Sequence, residues 1–171
     1  MIKTVILSLL LTSTLFSKGL GVKNILKESF SENITVEKKS IILTKEEAKA
    51  IQTKAQAKLN SKIVQLFKVK ENDKEIGYGV VLKRKVRTKK TAVLYIIDTN
   101  QTIKSIEILS FKEPLEYKPN DAWQEVFKGK NSDDMLISGK DIPTISGATM
   151  SAQGITDMSR IALAIIEAKT K

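Results

Sequence analysis

The sequence predicts an α+β fold in a single domain, with an antiparallel sheet of about four strands packed with two or three helices. Three observations support this fold class. Four segments in the middle of the chain are rich in Val, Ile and Tyr and are separated by short polar turns. One segment before them and one after them carry apolar residues at helical spacing. The strand connections are too short for parallel crossovers, so neighbouring strands are expected to be antiparallel.

The length and composition fit one globular domain and exclude several kinds of site. The 171 residues are 42% hydrophobic and 28% charged, so the chain can bury a core. The sequence has no Cys and no His, which excludes disulfides, thiolate metal sites, Ser-His-Asp hydrolases and zinc hydrolases. The net charge of +10 favours acidic partners or anionic surfaces. With only 5% aromatic residues, we expect no binding to single-stranded nucleic acid.

Residues 1–17 have the pattern of a secretory signal peptide. Lys3 gives a short basic start, and the apolar run over residues 5–16 is shorter than the roughly 20 residues that a membrane span needs. We therefore expect a protein that is periplasmic or otherwise exported, and either soluble or peripherally associated with a membrane. An uncleaved N-terminal anchor is the alternative. Residues 18–74 are expected to form an N-terminal extension with a helix and a strand.

The extension contains a clear helix start. Thr44 and Glu47 have the spacing of a capping box, in which each side chain bonds the backbone amide of the other residue. The helix that this box opens is expected over residues 45–59, because its apolar residues recur on one face. Before it, residues 40–43 predict a short strand at the end of a lead-in.

The four central strands are predicted over residues 63–69, 77–82, 91–98 and 103–111. The third is apolar at successive positions, so we expect it to be buried on both faces of the sheet. A basic stretch, residues 83–90, joins the second and third strands. It predicts either a solvated hairpin end that keeps the sheet edge soluble or a docking patch for an acidic or phosphate-bearing partner. The sequence leaves both interpretations open.

Two helices are expected after the sheet. Asn120 can cap a short helix, in which Trp123 and Phe127 lie four residues apart and are predicted to anchor the core. The last helix is predicted from about residue 151 to 168, with Ser151 or Thr149 as its N-cap.

Small and hydroxyl-bearing residues lie where the last helix begins. A helix N-terminus offers free amide hydrogens and the positive end of the helix dipole, which favour a bound phosphate. Gly147 and Ala148 carry little bulk, so a phosphate could approach the backbone, and Thr149 adds a hydroxyl. On spacing alone, the same residues could equally form a simple capping turn.

These residues also resemble a known signature. With the amphipathic helix that follows, they are similar to the motif of the covalent FMN-binding domain, found in the small flavoprotein subunits of the sodium-pumping quinone reductase and of the Rnf complex. In that family an exported flavin transferase joins the motif threonine to the FMN phosphate. The resemblance therefore implies FMN linked to Thr149 at the N-terminus of the last helix. The other motif positions expected to bind the cofactor are Ser146, Gly147, Ala148, Met150 and Ser151.

Weaker similarities lie upstream. The run Gly77, Tyr78, Gly79 resembles the start of a family strand, and Glu113 with Pro114 resembles the family's Glu-Thr-Pro-Gly region. The resemblance implies that Glu113 and Pro114 also contact FMN. It places the FMN-binding domain at residues 75–171.

The resemblance implies an exported electron-transfer flavoprotein that passes electrons between respiratory or membrane redox partners, such as a cytochrome or a membrane complex. A flavin transferase is the expected partner for maturation, and no catalytic residue, metal site or nucleic-acid partner is expected. An electron carrier is favoured over an enzyme with its own substrate, because the sequence shows no acid, base or substrate pocket. The alternative is a cofactor-free exported binding or assembly protein that uses the basic stretch 83–90.

Overall fold

The computed structural model describes residues 21–170, and the expected signal peptide, residues 1–17, lies outside them. The α+β class is confirmed. Single 3-10 turns occur at Leu115–Tyr117 and Glu125–Phe127. The main elements in chain order are α1 (Val22–Ser29), β1 (Ile34–Ile42), α2 (Lys45–Ala55), β2 (Ile63–Glu71), β3 (Lys74–Lys85), β4 (Lys90–Asp98), β5 (Ile103–Phe111), α3 (Asp121–Gln124) and α4 (Thr149–Lys169).

The five strands form one antiparallel sheet in the order β1-β2-β3-β4-β5. The four predicted central strands correspond to β2 through β5. The fifth strand, β1, starts well before the predicted residues 40–43. Its centre carries Glu37, Lys38 and Lys39, and such a charged run gives no apolar alternation from which a strand could be predicted. Charged residues are typical of an exposed edge strand, because they discourage pairing with other chains.

The sheet is covered on both faces. Helices α2, α3 and α4 pack on one face, and α1 packs on the other. The central strand β4 contributes Val93, Tyr95 and Ile97 to the first core and Leu94 and Ile96 to the second. All five side chains are fully buried, so the prediction that this strand is buried on both faces is confirmed.

Helix α1 was not predicted, and it lies directly on two glycines of β3. A Cβ atom at Gly77 would lie 2.3 Å from Cζ of Phe30 and 2.7 Å from the carbonyl oxygen of Ile97. A Cβ atom at Gly79 would lie 3.2 Å from Cδ2 of Leu26. The Gly-Tyr-Gly run therefore lets α1 approach the sheet closely, a packing role that the sequence did not reveal.

Helix α2 opens with the predicted capping box. The Thr44 hydroxyl accepts from the Glu47 amide at 3.1 Å, and the Glu47 carboxylate accepts from the Thr44 amide at 2.9 Å. The helix ends at Ala55, earlier than predicted, because Gln56 takes a left-handed conformation with φ of 46°.

The predicted short helix is α3. Asn120 caps it by accepting a hydrogen bond from the Trp123 amide at 2.9 Å. The rings of Trp123 and Phe127 meet edge to face, with centroids 5.1 Å apart, and both side chains are buried. Their predicted role as core anchors is confirmed.

Candidate functional site

The N-terminus of α4 differs in detail from the prediction. The helix begins at Thr149 with Ala148 as the N-cap, so the prediction that Ser151 or Thr149 caps it is wrong. The helix starts earlier because Gly147 turns the chain with φ of 75°, and the Ala148 amide donates to the carbonyl of Ile145 at 2.9 Å. Ala148 has no side-chain acceptor, so the first turn has no side-chain cap. The amides of Thr149 and Met150 therefore point outward without a partner inside the helix.

The six predicted motif residues divide into an exposed group and a buried group. A Cβ atom placed on Gly147 would meet nothing within 4 Å, so the space outside this turn is open. The Thr149 hydroxyl is carried on an exposed residue beside that space. The exposed residues are Ser146, Gly147, Thr149 and Met150, and the buried ones are Ala148 and Ser151.

Ser151 carries an unsatisfied polar atom. Its Oγ atom is buried and has no hydrogen-bond partner among residues 21–170. A buried polar group without a partner costs about 1–3 kcal/mol, so such a group in a native fold requires an explanation. Ser151 lies in the first turn of α4, two residues after Thr149, but it is fully buried and does not border the open space outside the turn. The turn therefore fits a phosphate group on two counts: free amides and open space.

Two buried side chains hold this region in place. The Tyr95 hydroxyl donates to the carbonyl of Ile155 in α4 at 2.7 Å, and burial raises the pKa of Tyr95 well above its usual value. Trp123 donates through Nε1 to the carbonyl of Pro143 at 2.8 Å. Sequence reasoning missed both contacts, because the acceptors are backbone atoms distant in the chain and carry no sequence signal.

The acidic residue nearest the motif in the sequence is Asp141, and it serves the preceding loop. Its carboxylate accepts from the amides of Leu136 at 2.8 Å and Ile137 at 2.7 Å. Burial opposes ionisation, but the two backbone hydrogen bonds hold the pKa of Asp141 below its usual value. The carboxylate therefore stabilises the loop that contains Leu136 and Ile137, and not the turn at Gly147.

Glu113 lies on a different element from the motif. Its carboxylate accepts from three successive backbone amides, those of Arg87 at 3.2 Å, Thr88 at 2.5 Å and Lys89 at 2.6 Å, and from the Thr88 hydroxyl at 3.1 Å. These hydrogen bonds, chiefly the one from the Lys89 amide, lower the pKa of Glu113. Glu113 thus holds the end of the β3–β4 hairpin, while the adjacent Pro114 is exposed. Contacts from Glu113 and Pro114 to a cofactor stay a prediction.

The comparisons with known proteins give the deciding observation. Residues 88–164 match the family model described as the FMN-binding domain. This segment is similar to the FMN-binding domain family. The matched segment includes Glu113, the whole motif from Ser146 to Ser151 and most of α4, so the family resemblance predicted from the motif is confirmed and supports a flavin-binding protein. Comparison with curated proteins and with solved structures found no match.

The matched segment begins at Thr88, in the hairpin end that Glu113 holds. Val86, at this turn, lies against α4: its Cγ1 atom is 3.5 Å from the position that a Cβ atom on Gly154 would take. Arg84 reaches the same helix through an ion pair with Asp157, with Nη1 and Oδ2 3.0 Å apart. The basic stretch 83–90 therefore forms a hairpin end beside the second turn of α4, and most of its cationic side chains are exposed. Its role as a docking patch stays a prediction.

Each of the two predicted cofactor segments also exposes one apolar side chain. Leu115, two residues after Glu113, is 78% exposed, and Met150, next to Thr149, is 55% exposed. Within residues 21–170, no helix combines the length and the apolar character that crossing a bilayer requires.

Proposed function

We propose that this protein is an exported electron-transfer flavoprotein that carries FMN linked by a phosphoester to Thr149. One observation carries the proposal: within a matched FMN-binding domain, an exposed threonine is the first residue of a 21-residue helix. In this position the hydroxyl is accessible to a transferase and lies at the positive end of the helix dipole.

The first turn of α4 would hold the phosphate. The phosphoester would join Oγ1 of Thr149 to the phosphorus of FMN. A flavin dinucleotide donor would supply it, its phosphoanhydride bond breaking to release a nucleoside monophosphate that takes up the proton of the hydroxyl. The diester keeps one negative charge, which a helix N-terminus stabilises by about 0.3–1 kcal/mol. The amides of Thr149 and Met150 would donate to the phosphate oxygens.

The exposed side chain of Met150, which follows the linkage directly, would cover part of the flavin ring. When bound, FMN supplies the transfer of one or two electrons, so the protein itself needs no base or nucleophile. This requirement agrees with a chain that has neither His nor Cys. We propose respiratory or membrane redox proteins as the electron donor and acceptor.

Intact-mass measurement tests the linkage. The protein is coexpressed with a flavin transferase in an exporting host, and its mass is measured after denaturation. We expect the wild type to gain the mass of one FMN less one water, and Thr149→Ala to gain nothing. Thr144→Ala is the matched control, because Thr144 is an exposed threonine of the same loop, and it should keep the full gain. An unmodified wild type, or a modified Thr149→Ala protein, would show the proposal to be wrong.

The same preparation separates the alternative, a cofactor-free binding protein. In that case the wild type keeps the mass of its amino acids, and charge reversal at Lys83 and Lys85 abolishes capture of an acidic partner. Arg84 is left unchanged in this variant, because its ion pair with Asp157 joins the hairpin to α4.

A further inference from the structure

Strands β2 and β3 separate at one end of the sheet. Their pairing stops at Gln65 and Val81. Beyond this point β2 continues to Ile63, paired only with β1, and β3 continues to Lys85, paired only with β4. Over residues 82–85, the edge of β3 that faces β2 therefore has no neighbouring strand. Its backbone amides and carbonyls on that side need partners from elsewhere.

The gap between the two strands is a cleft of about 240 Å³. Two of its lining residues, Met158 and Ile161, belong to α4 and are buried. Leu59, Ile63 and Leu82 contribute further apolar surface to its walls. The cleft thus has an apolar interior that is open to solvent at the end of the sheet.

The mouth of the cleft is cationic. Lys58 and Lys83 line it, are exposed, and take part in none of the ion pairs found among the described residues. Arg84 also lines it and pairs with Asp157, but the same carboxylate is shared with Arg160 at 2.7 Å. One carboxylate therefore faces two guanidinium groups, and the local charge stays positive.

We propose that this cleft binds a small organic anion with an apolar body, namely an aromatic or short aliphatic carboxylate. An apolar cavity of about 150 Å³ is large enough for benzene, so the larger cleft accommodates a ring with its carboxylate at the mouth. There the carboxylate meets Lys58 and Lys83, and the unpaired edge of β3 offers backbone donors. None of the lining residues belongs to the stretch 145–151, so the inference does not depend on flavin attachment at Thr149.

Isothermal titration calorimetry with 2-naphthoate tests the proposal, using protein purified without a flavin transferase. We expect one binding site per chain and binding about tenfold weaker for 2-naphthalenemethanol, the neutral analogue, since it lacks the two charge contacts. Ile63→Trp should fill the cleft and abolish binding. Ile42→Trp is the matched control: Ile42 pairs with Ile63 across the β1–β2 ladder and is similarly exposed, but it does not line the cleft.

Charge variants test the mouth of the cleft. Lys58→Glu combined with Lys83→Glu should weaken 2-naphthoate binding by about tenfold or more. Lys38→Glu combined with Lys74→Glu makes the same change in net charge at exposed lysines outside the cleft and should leave the affinity within about twofold at physiological salt. Far-UV circular dichroism checks that every variant is folded. Absence of 2-naphthoate binding, unchanged binding by Ile63→Trp, or equal weakening by both charge variants would overturn the proposal.

Discussion

Replacement by alanine is expected to lower the stability of the fold at Gly147, just before α4, and to raise it at Gly154, inside α4. Gly147 has φ of 75°, a left-handed conformation that costs an L-residue about 1–2 kcal/mol. Alanine also lowers the conformational entropy of the unfolded chain, which stabilises the fold by about 0.4–1 kcal/mol and offsets part of this cost. No atom lies within 4 Å of the added Cβ, so backbone strain is the whole cost. Gly147→Ala should therefore destabilise the fold by about 0.5–1 kcal/mol.

Gly154 lies inside α4, and its replacement should stabilise the fold. An added Cβ would lie 3.5 Å from Cγ1 of Val86 and 3.9 Å from Cδ of Arg84, which are ordinary contact distances. Alanine is more favourable than glycine in a helix interior by about 0.8–1.0 kcal/mol. The two variants should thus differ by about 1.3–2 kcal/mol. For a chain of this size that difference separates their melting temperatures by about 3–8 °C.

Thermal unfolding followed by far-UV circular dichroism, together with urea titration, measures both effects. The intact-mass assay on the same variants adds a functional readout: Gly147→Ala should lower the modified fraction, because it displaces the Thr149 hydroxyl, and Gly154→Ala should retain it. If Gly147→Ala is as stable as the wild type, the left-handed turn before Thr149 is wrong. If Gly154→Ala is less stable than the wild type, the hairpin end packs more tightly on α4 than the distances to Val86 indicate.

Two further variants test the surrounding contacts. Glu113→Gln should lower the melting temperature at pH 7 and flatten its fall in acid. The hydrogen bonds in the folded state lower the pKa of Glu113. The carboxylate therefore contributes its full stabilisation above pH 4.5, the pKa in the unfolded chain, and this stabilisation is lost as the pH falls through the lower pKa of the folded state. Melting curves from pH 7 to pH 3 measure this loss. Gly77→Ala should destabilise the fold by about 1–3 kcal/mol in urea titration, because its Cβ would overlap Phe30. Gly79→Ala, whose nearest contact is 3.1 Å, should cost less, and equal stability of Gly77→Ala and the wild type would contradict the placement of α1.

Local signals account for most of what could be predicted. The capping box of Thr44 and Glu47 was predictable because its partners are three residues apart. The burial of β4 on both faces was predictable because an uninterrupted apolar run in a strand places apolar side chains on both faces of the sheet, and each face must then be covered. The motif around Thr149 was also readable from the sequence, since its residues are contiguous and precede an amphipathic helix. Its N-cap was predicted wrongly, because the left-handed turn at Gly147 determines where the helix begins.

The sequence by itself determined the fold class, the four central strands and the resemblance of residues 146–151 to the flavin-family motif. The tertiary structure decided the placement of α1 on Gly77 and Gly79, the commitment of Glu113 to the hairpin end, and the cleft where β2 and β3 separate. The physical reason is the range of the interactions. Capping, alternation and helical spacing act between near neighbours, whereas these three features arise from contacts between segments far apart in the chain, where backbone atoms of one segment meet side chains or strand edges of another.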